Sequence, residues 1–452
     1  MPVHDQKTAF TLKLKKPLNG REAALHVLLQ VWFDGAYTAI ALNRVLRRAK
    51  LAEPDRRFAT ELANGSVKAK GTLDFLIGQL TDRPLKMLDP AVYCILLLGL
   101  YQIFYMERIP VSAACNESVN LAKRFGRKGT DKFVNGVLRN SLRKRETLQE
   151  MVLESVSLRF CHPRWLTERW QKQFGEAGAE ALCRWDNEPP PMSLRVNTMV
   201  TTRDVFLQDL REIGCEAEVS LWCRDGVILI KSPGLPRLLE TFPDSFYVQD
   251  ESSMLPVLAL QPEPGEEILD MCSAPGGKTT HMAALMQNKG LVTACDVYPH
   301  KLKLISENAS RLKLDNIKTE LQDGTLFRTG WEGHFDKVLI DAPCSGLGVL
   351  RRRAEARWTK SEAGLKEFPP LQRAILENGA RYVKPGGILV YSTCTVEEEE
   401  NRKQIERFLS EHKEWTQVGF NHPRTGETVK ELQLLPQRDG IDGFYLTALQ
   451  KK

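Results

Sequence analysis

Apolar residues recur at helical spacing through the first 145 residues, and only near residue 250 does the pattern turn into short apolar runs alternating with helical ones. An amphipathic helix opens at 21–29, and further helical patterns run through 38–49, 55–79, 90–106, 111–125 and 130–143, punctuated by Pro110, Gly126 and Gly129. This predicts an all-α bundle over 18–145. Two Trp-bearing helical patterns follow at 165–174 and 176–185, then the breaker Pro189-Pro190-Pro191. A strand at 193–197, a helix at 203–213 and a strand at 226–230 make the region 146–245 a small α+β intermediate. From 246 to 452 strands and helices alternate, with strands at 267–271, 291–295, 317–321, 337–340, 387–391 and 444–448 and helices at 278–287, 299–313, 369–382 and 398–411. That alternation predicts an α/β domain built on a parallel, doubly wound sheet. No internal repeat and no low-complexity segment interrupts it.

Composition changes this picture little. A chain of 452 residues with 42% hydrophobic and 27% charged content is an ordinary multidomain soluble protein. The start, Met1-Pro2-Val3-His4-Asp5-Gln6-Lys7, lacks a basic region followed by an apolar stretch, so no signal peptide is expected. The most apolar stretch, 91–105, is short and contains Gln102, which reads as a core helix rather than a membrane span. Ten cysteines without a CxxC pair argue against zinc and against a disulfide framework, and a reducing cytoplasm fits them. Charge does change the picture. Residues 1–150 hold 25 Lys and Arg against 14 Asp and Glu, a net of +11, while the remainder has a net of −5. Nine basic residues lie within 123–145 against a single Asp131, which points to a polyanionic partner, most economically nucleic acid.

The candidate chemistry lies at strand ends. Cys344, in Asp341-Ala342-Pro343-Cys344-Ser345-Gly346, and Cys394, in Ser392-Thr393-Cys394-Thr395, each follow a run that reads as a buried strand. The carboxyl ends of parallel strands form the ligand crevice, so both thiols should face one site, where two sulfurs and a carboxylate suit covalent chemistry with separate attack and release. The first strand of the domain runs into Cys272-Ser273-Ala274-Pro275-Gly276-Gly277-Lys278-Thr279, whose glycines let a ligand approach the backbone at a helix start. A P-loop requires Gly where Cys272 stands, and G-x-G-x-x-G is absent, which leaves an adenosine cofactor without a phosphate chain. Asp296 at the end of the second strand is placed for its ribose, and Asp323 after the third for its adenine.

These segments resemble the motifs of the S-adenosylmethionine-dependent RNA cytosine-5 methyltransferases of the Sun family: Asp-Met-Cys-Ser-Ala-Pro-Gly-Gly-Lys-Thr at 270–279, Asp-Ala-Pro-Cys-Ser-Gly at 341–346 and Ser-Thr-Cys-Thr at 392–395. The helical front is similar to the NusB antitermination-factor fold that bacterial 16S ribosomal RNA members, the Fmu/Sun proteins, carry ahead of the catalytic domain. Phe160-Cys161-His162-Pro163-Arg164-Trp165-Leu166 and Arg195-Val196-Asn197 are similar to that subgroup's intermediate region. Ser273 stands where Ala is common, and Arg353-Ala354-Glu355 replaces a usual x-Pro-Asp. The resemblance implies a NusB-like domain at 18–145, an intermediate RNA-binding region at 146–245 and a Rossmann-like class I methyltransferase domain at 246–452. It implies S-adenosyl-L-methionine bound by Cys272, Ser273, Ala274, Pro275, Gly276, Gly277, Lys278, Asp296, Asp323 and Asp341, and no metal. Cys394 would be the nucleophile and Cys344 would assist release. The implied partner is 16S ribosomal RNA, in the cytoplasm, with no membrane and no obligate protein partner.

Such chemistry needs these groups. Carbon 5 of cytosine is a poor nucleophile until a thiolate adds at carbon 6, so Cys394 must be at least partly thiolate. Asp341, protonated or hydrogen-bonding, would stabilise charge developing in the ring. Enzymes that methylate exocyclic amines typically show Asn/Asp-Pro-Pro-aromatic where this chain has Asp341-Ala342-Pro343-Cys344, which favours carbon as the acceptor. The base must be unstacked, and Arg351, Arg352, Arg353, Arg357 and Trp358 are candidates to bind phosphate and stack on it, with Arg143, Lys144 and Arg145 contributing from the front domain. Competing readings are the same chemistry on transfer RNA, a non-catalytic rRNA-binding assembly factor, and a P-loop NTPase. Retention of both cysteines and of the glycine loop favours catalysis.

Overall fold

A computed structural model describes residues 16–452; the reading of the first seven residues lies outside the described residues. The chain forms two compact units. One takes the residues up to Glu188 together with Leu350–Glu362, the other Pro189–Val349 and Ala363–Lys452.

The first unit is helical: α1 (Gly20–Phe33), α2 (Thr38–Arg48), α3 (Glu53–Lys68), α4 (Lys70–Leu80), α5 (Pro90–Tyr105), α6 (Val111–Phe125), α7 (Thr130–Arg143), α8 (Arg145–Leu153), α9 (Val156–Arg159) and α10 (Arg164–Trp185). Short polar side chains fix the starts. Asn19 accepts the Glu22 N–H at 3.0 Å ahead of α1, and Asp89 accepts the Ala91 N–H at 3.0 Å ahead of α5, whose first residue is Pro90. The apolar stretch at 91–105 is the core helix expected of it, with Ala91 through Leu98 buried among the surrounding helices. The helix expected over 55–79 is instead two, α3 and α4, meeting at Ala69. The two Trp-bearing patterns form one kinked helix, α10, with the bend at Gly175 (φ 74°). The expected intermediate region is divided: α8 to α10 belong to this unit, and the chain after Glu188 belongs to the other.

In the second unit, β1 (Met192–Val196), β2 (Glu216–Val219), β3 (Gly226–Lys231) and β4 (Phe246–Val248) form an antiparallel sheet in the order β2-β3-β1-β4. Leu194, Val196, Val227 and Phe246 pack on Phe206 and Leu210 of a covering helix, Arg203–Glu212. The short edge strands β2 and β4 escaped the sequence pattern. The main sheet contains β5 (Glu267–Asp270), β6 (Leu291–Asp296), β7 (Ile317–Leu321), β8 (Phe335–Asp341), β9 (Val383–Thr393), β10 (Trp415–Val418), β13 (Glu431–Leu434) and β14 (Phe444–Lys451), while β11 (Phe420–Asn421) and β12 (Thr428–Val429) pair apart from it. Its order is β10-β14-β9-β8-β5-β6-β7, with β13 against β14. Strands β5 to β9 are parallel. The strand expected at 444–448 is β14, and it runs antiparallel to β9 and to β13, so the sheet is mixed rather than parallel throughout. The connection from β13 to β14 is too short for the crossover that a parallel pair needs. The chain steps outward from β5 to β7 and returns to place β8 on the other side of β5, which makes the β5/β8 carboxyl ends the topological switch point. No helix among the described residues is long and apolar enough to cross a membrane.

Candidate active site

The loops after β5, β6, β7, β8 and β9 all open at that end of the sheet, and they carry the residues expected from the sequence. After β5 the chain turns through Gly276 (φ 99°) into the helix Gly277–Leu285. The left-handed conformation at Gly276 favours glycine, and the space is tight at both positions: a Cβ on Gly276 would meet Ile305 at 3.3 Å and one on Gly277 the Tyr247 ring at 3.2 Å. Ser273 Oγ donates to the Cys295 carbonyl at 2.8 Å, tying the loop to β6. Asp270, fully buried, accepts from Thr279 Oγ1 at 2.7 Å; burial pushes its carboxyl up to about 7 against that hydrogen bond and the Lys278 charge.

Cys344 Sγ and Cys394 Sγ lie 3.3 Å apart. Seven of the ten cysteines are buried; the three that are only half-buried are Cys272, Cys344 and Cys394, all at strand ends. Main-chain bonds hold the two thiol loops together: Ala342 N–H donates to the Ser392 carbonyl at 2.8 Å and Gly348 N–H to the Cys394 carbonyl at 3.1 Å. Cys344 is pushed well above the ordinary thiol range, first by its hydrogen bond to Cys394, then by burial and by the charges of Glu400 and Asp341.

Both oxygens of Asp341 act as acceptors, Oδ2 from Lys278 Nζ at 2.6 Å and Oδ1 from Ser392 Oγ at 2.9 Å. Burial alone would depress Lys278, but the carboxylates of Asp341 and Asp270 and a charge on Cys394 hold its ammonium above the ordinary lysine value. Asp296 and Asp323 stand at the ends of β6 and β7, and each also closes a local turn: Asp296 Oδ1 accepts the Tyr298 N–H at 3.0 Å, and Asp323 Oδ1 the Thr325 N–H at 2.9 Å.

The arginines after Cys344 are a correction. Arg351 is buried with its guanidinium 4.2 Å from the Trp185 ring centre, a packing contact rather than a presentation to phosphate. Arg357 is fully buried and donates to the Cys161 and Asp186 carbonyls at 3.0 and 3.1 Å and to Asn187 Oδ1 at 2.9 Å, leaving it no free face for RNA. The Trp358 indole donates to the Val67 carbonyl at 2.9 Å and occupies the space that Gly71 leaves open, so it cannot stack on a base in this arrangement. These residues belong to the Leu350–Glu362 segment of the helical unit. Arg352 is half-buried and Arg353 exposed; in front, Arg143 and Lys144 are exposed and Arg145 half-buried.

Three further residues serve the site, and the sequence assigned none of them to it. Arg195 is buried, and its guanidinium donates to the Gly277 carbonyl, to Gln249 Oε1 and, at 2.9 Å, to Thr280 Oγ1, which pins the start of the cofactor-loop helix to β1. Glu400 and Asn401 are 1% and 0% exposed, in a stretch expected to be helical from 398; the helix begins only at Arg402. Four consecutive glutamates directly after the Cys394 loop were the available signal. Spacing also hid two metal-ligand groupings among the described residues, each with ligand atoms within 4.8 Å of one another: Glu377, Glu411 and His412, and the more buried Cys223, Asp225 and His281. Arg224 Nε already lies 3.6 Å from Asp225 Oδ2, and the charges of Arg195 and Arg224 help depress His281, so cations of the chain itself face this group.

Comparison with known proteins divides the chain into three matched regions. Residues 257–450 match the family described as 16S rRNA methyltransferase RsmB/F, residues 18–143 the NusB family, and residues 162–234 the ferredoxin-like domain of RsmF/B-like methyltransferases. The probable ribosomal RNA small subunit methyltransferase B of Synechocystis sp. is 38% identical over 446 residues, covering 96% of this chain and 100% of the relative. That of Bacillus subtilis is 38% identical over 448 residues, covering 97% and 100%. Among solved structures, "Crystal Structure of PH0851" superposes with a TM-score of 0.83 at 26% identity, covering 97% of this chain and 100% of that one. A methyltransferase homolog protein from Pyrococcus horikoshii gives a TM-score of 0.56 at 30% identity, covering 66% and 98%.

Proposed function

This chain belongs to the RsmB/F family of 16S rRNA methyltransferases, and on that premise we propose that it transfers a methyl group from S-adenosyl-L-methionine to carbon 5 of a cytosine in 16S ribosomal RNA. The observation that carries the reading is the pair of half-buried thiols 3.3 Å apart, beside the Lys278–Asp341 pair at the switch point of the sheet.

The residues present fit the cofactor. Gly276 and Gly277 bring bare backbone to the start of the helix after β5, and Asp296 and Asp323 supply acceptors at the next two strand ends for a ribose and an adenine. When bound, the cofactor supplies an electrophilic methyl group. The rest is done by side chains. Cys394 Sγ, as thiolate, adds to carbon 6 of an unstacked cytosine, and the electron pair of the 5,6 double bond moves toward carbon 5, which becomes nucleophilic enough to take the methyl group. Asp341 and Lys278 face the ring as a hydrogen-bonded pair and stabilise the charge shift. The carbon-5 proton passes to a base, water included, its electron pair restores the 5,6 double bond and Cys394 leaves as thiolate, a release that Cys344 would assist. Arg143 and Lys144, exposed in the basic front unit, contribute phosphate contacts.

Bisulfite sequencing of 16S rRNA from cells with and without the protein tests this directly: one cytosine should lose its methyl mark in the deletion, and an unchanged pattern would overturn the reading. Cys344→Ala should accumulate a covalent protein–RNA adduct on a denaturing gel, whereas an adduct in Cys394→Ala instead would show the two roles exchanged.

A further inference from the structure

Cys344 and Cys394 carry the same group 3.3 Å apart, so the pair by itself does not say which sulfur is thiolate. The charges that flank the pair are unlike. On the Cys344 side, Glu400 Oε2 accepts the Ser345 N–H at 2.9 Å and Gln372 Nε2 at 2.8 Å, while Oε1 is buried without a hydrogen-bond partner. Both donors are neutral, so the charge of this buried carboxylate is not cancelled locally. The next residue, Asn401, accepts from Thr393 Oγ1 at 2.5 Å and donates to the Thr395 carbonyl at 3.0 Å, on either side of Cys394. Consecutive residues therefore hold the two thiol loops, the charged one on Cys344 and the neutral one on Cys394. On the Cys394 side stands the Lys278 ammonium, which a charge on that sulfur helps to stabilise.

We propose that Glu400 is a positioning residue that assigns the roles of the two thiols: its carboxylate, fixed on the amide next to Cys344, keeps the proton on Cys344 Sγ and leaves Cys394 Sγ, beside Lys278, as the thiolate. The proposal rests on the reading that Cys394 is the attacking sulfur. The neutral Cys344 then donates its S–H to the Cys394 thiolate, which accounts for the short sulfur contact without a disulfide. The other charged groups facing the pair act in the same sense or on Lys278. Asp341 opposes a charge on Cys344, Asp270 supports Lys278, and Glu397 opposes a charge on Glu400, whose carboxyl is raised chiefly by burial and lowered by the Ser345 and Gln372 bonds. Tyr391, whose hydroxyl donates to the Glu400 carbonyl at 2.8 Å, is held neutral by burial.

Iodoacetamide labelling of the full chain, followed by peptide mass spectrometry, reads the assignment. In the wild-type protein at neutral pH, Cys394 should label at least about tenfold faster than Cys344, the factor that one pKa unit gives. Glu400→Gln should bring that ratio down by about tenfold or more, and Glu400→Asp, which keeps the charge, should largely restore it. An unchanged ratio in a folded Glu400→Gln protein, or faster labelling of Cys344 in the wild type, overturns the proposal. Should Glu400→Gln fail to fold, the labelling pH profiles of Cys394→Ser and Cys344→Ser decide: Cys344 must react with the higher apparent pKa, and the reverse order overturns the proposal equally. Because alkylation requires no RNA, the expected labelling in a protein that methylates no cytosine would remove the carbon-5 reading and leave the thiol assignment standing.

Discussion

Lys278, half-buried, and Arg357, fully buried, are cations with similar prospects in sequence: each lies close to a strand-end motif. The structure gives them different hydrogen-bond acceptors. Lys278 faces a carboxylate, Asp341, with a second, Asp270, and a thiol nearby. Arg357 hydrogen-bonds two main-chain carbonyls and an amide oxygen, and the nearby Asp186 carboxylate acts on it through its charge alone. A cation held by carboxylates beside a thiol retains a field that a reacting ring can feel. A cation whose hydrogen bonds go to neutral acceptors fastens chain segments, here the Leu350–Glu362 segment to the joint between α9 and α10 and to the end of α10, within the helical unit. The division is sharp in sequence. Residues 341–349 serve the catalytic sheet, and the very next residues belong to the other compact unit.

The largest effects should separate these two kinds of residue. Cys394→Ala should abolish methyl transfer, by several orders of magnitude, while the melting temperature and cofactor affinity stay near wild type; retained turnover would break the assignment of the site. Arg357→Met should do the opposite. It strands two buried carbonyls and the Asn187 amide, at a cost of roughly 3–5 kcal/mol, so denaturant unfolding should move strongly while any protein that remains folded keeps its cofactor affinity. A stable Arg357→Met protein with weakened RNA binding would return this arginine to the role that the sequence suggested.

What the sequence made legible follows from the same contrast. Cys344, Cys394, Asp296 and Asp341 end apolar runs, and a strand end is a position that local pattern specifies. The direction of β14 was not legible, because alternation of apolar residues is the same for a strand run either way. Arg357 was misjudged and Glu400 went unnamed for one reason: charged runs usually face water, and their burial depends on partners such as Cys161 and Ser345 that lie 196 and 55 residues away. Gly71 is a complementary case, since its requirement comes from Trp358 and nothing near it in sequence announces that.

A pH series sharpens the comparison further. Asp270 in the catalytic unit and Asp186 in the helical unit are both raised to about 7, chiefly by burial. An unfolded aspartate loses its proton near pH 4, so between about 4 and 7 the folded chain binds more protons than the unfolded one. Stability therefore falls as pH rises through that window, by up to about 1.4 kcal/mol per pH unit for each group, and levels off above it. Asp270→Asn should flatten the part of the slope that cofactor addition also affects, and Asp186→Asn the part that it does not. Urea midpoints measured from pH 4 to 8, with and without S-adenosyl-L-methionine, distinguish them, and unchanged slopes in both variants would contradict the burial argument.

The smallest expected effect concerns the front unit, where charge sits on the surface and each contribution is modest. Residues 1–150 carry a net charge of +11 while the rest of the chain carries −5, so non-specific attraction to RNA should be concentrated there. Arg143 and Lys144 are exposed and Arg145 is half-buried at the junction of α7 and α8. No carboxylate is ion-paired with any of the three among the described residues, in contrast to Arg124, whose Nη1 lies 2.5 Å from Glu22 Oε1. Reversing all three to Glu should weaken RNA binding by about tenfold at moderate salt and flatten the dependence of log affinity on log salt by roughly 0.7 for each phosphate no longer neutralised. Cofactor affinity should not change, because its residues lie in the other compact unit. A solvated basic surface that touches no RNA predicts neither change. Filter binding across a salt series decides between them: a triple variant with the wild-type slope would take this junction out of the RNA surface and leave the excess charge to be placed elsewhere on the helices.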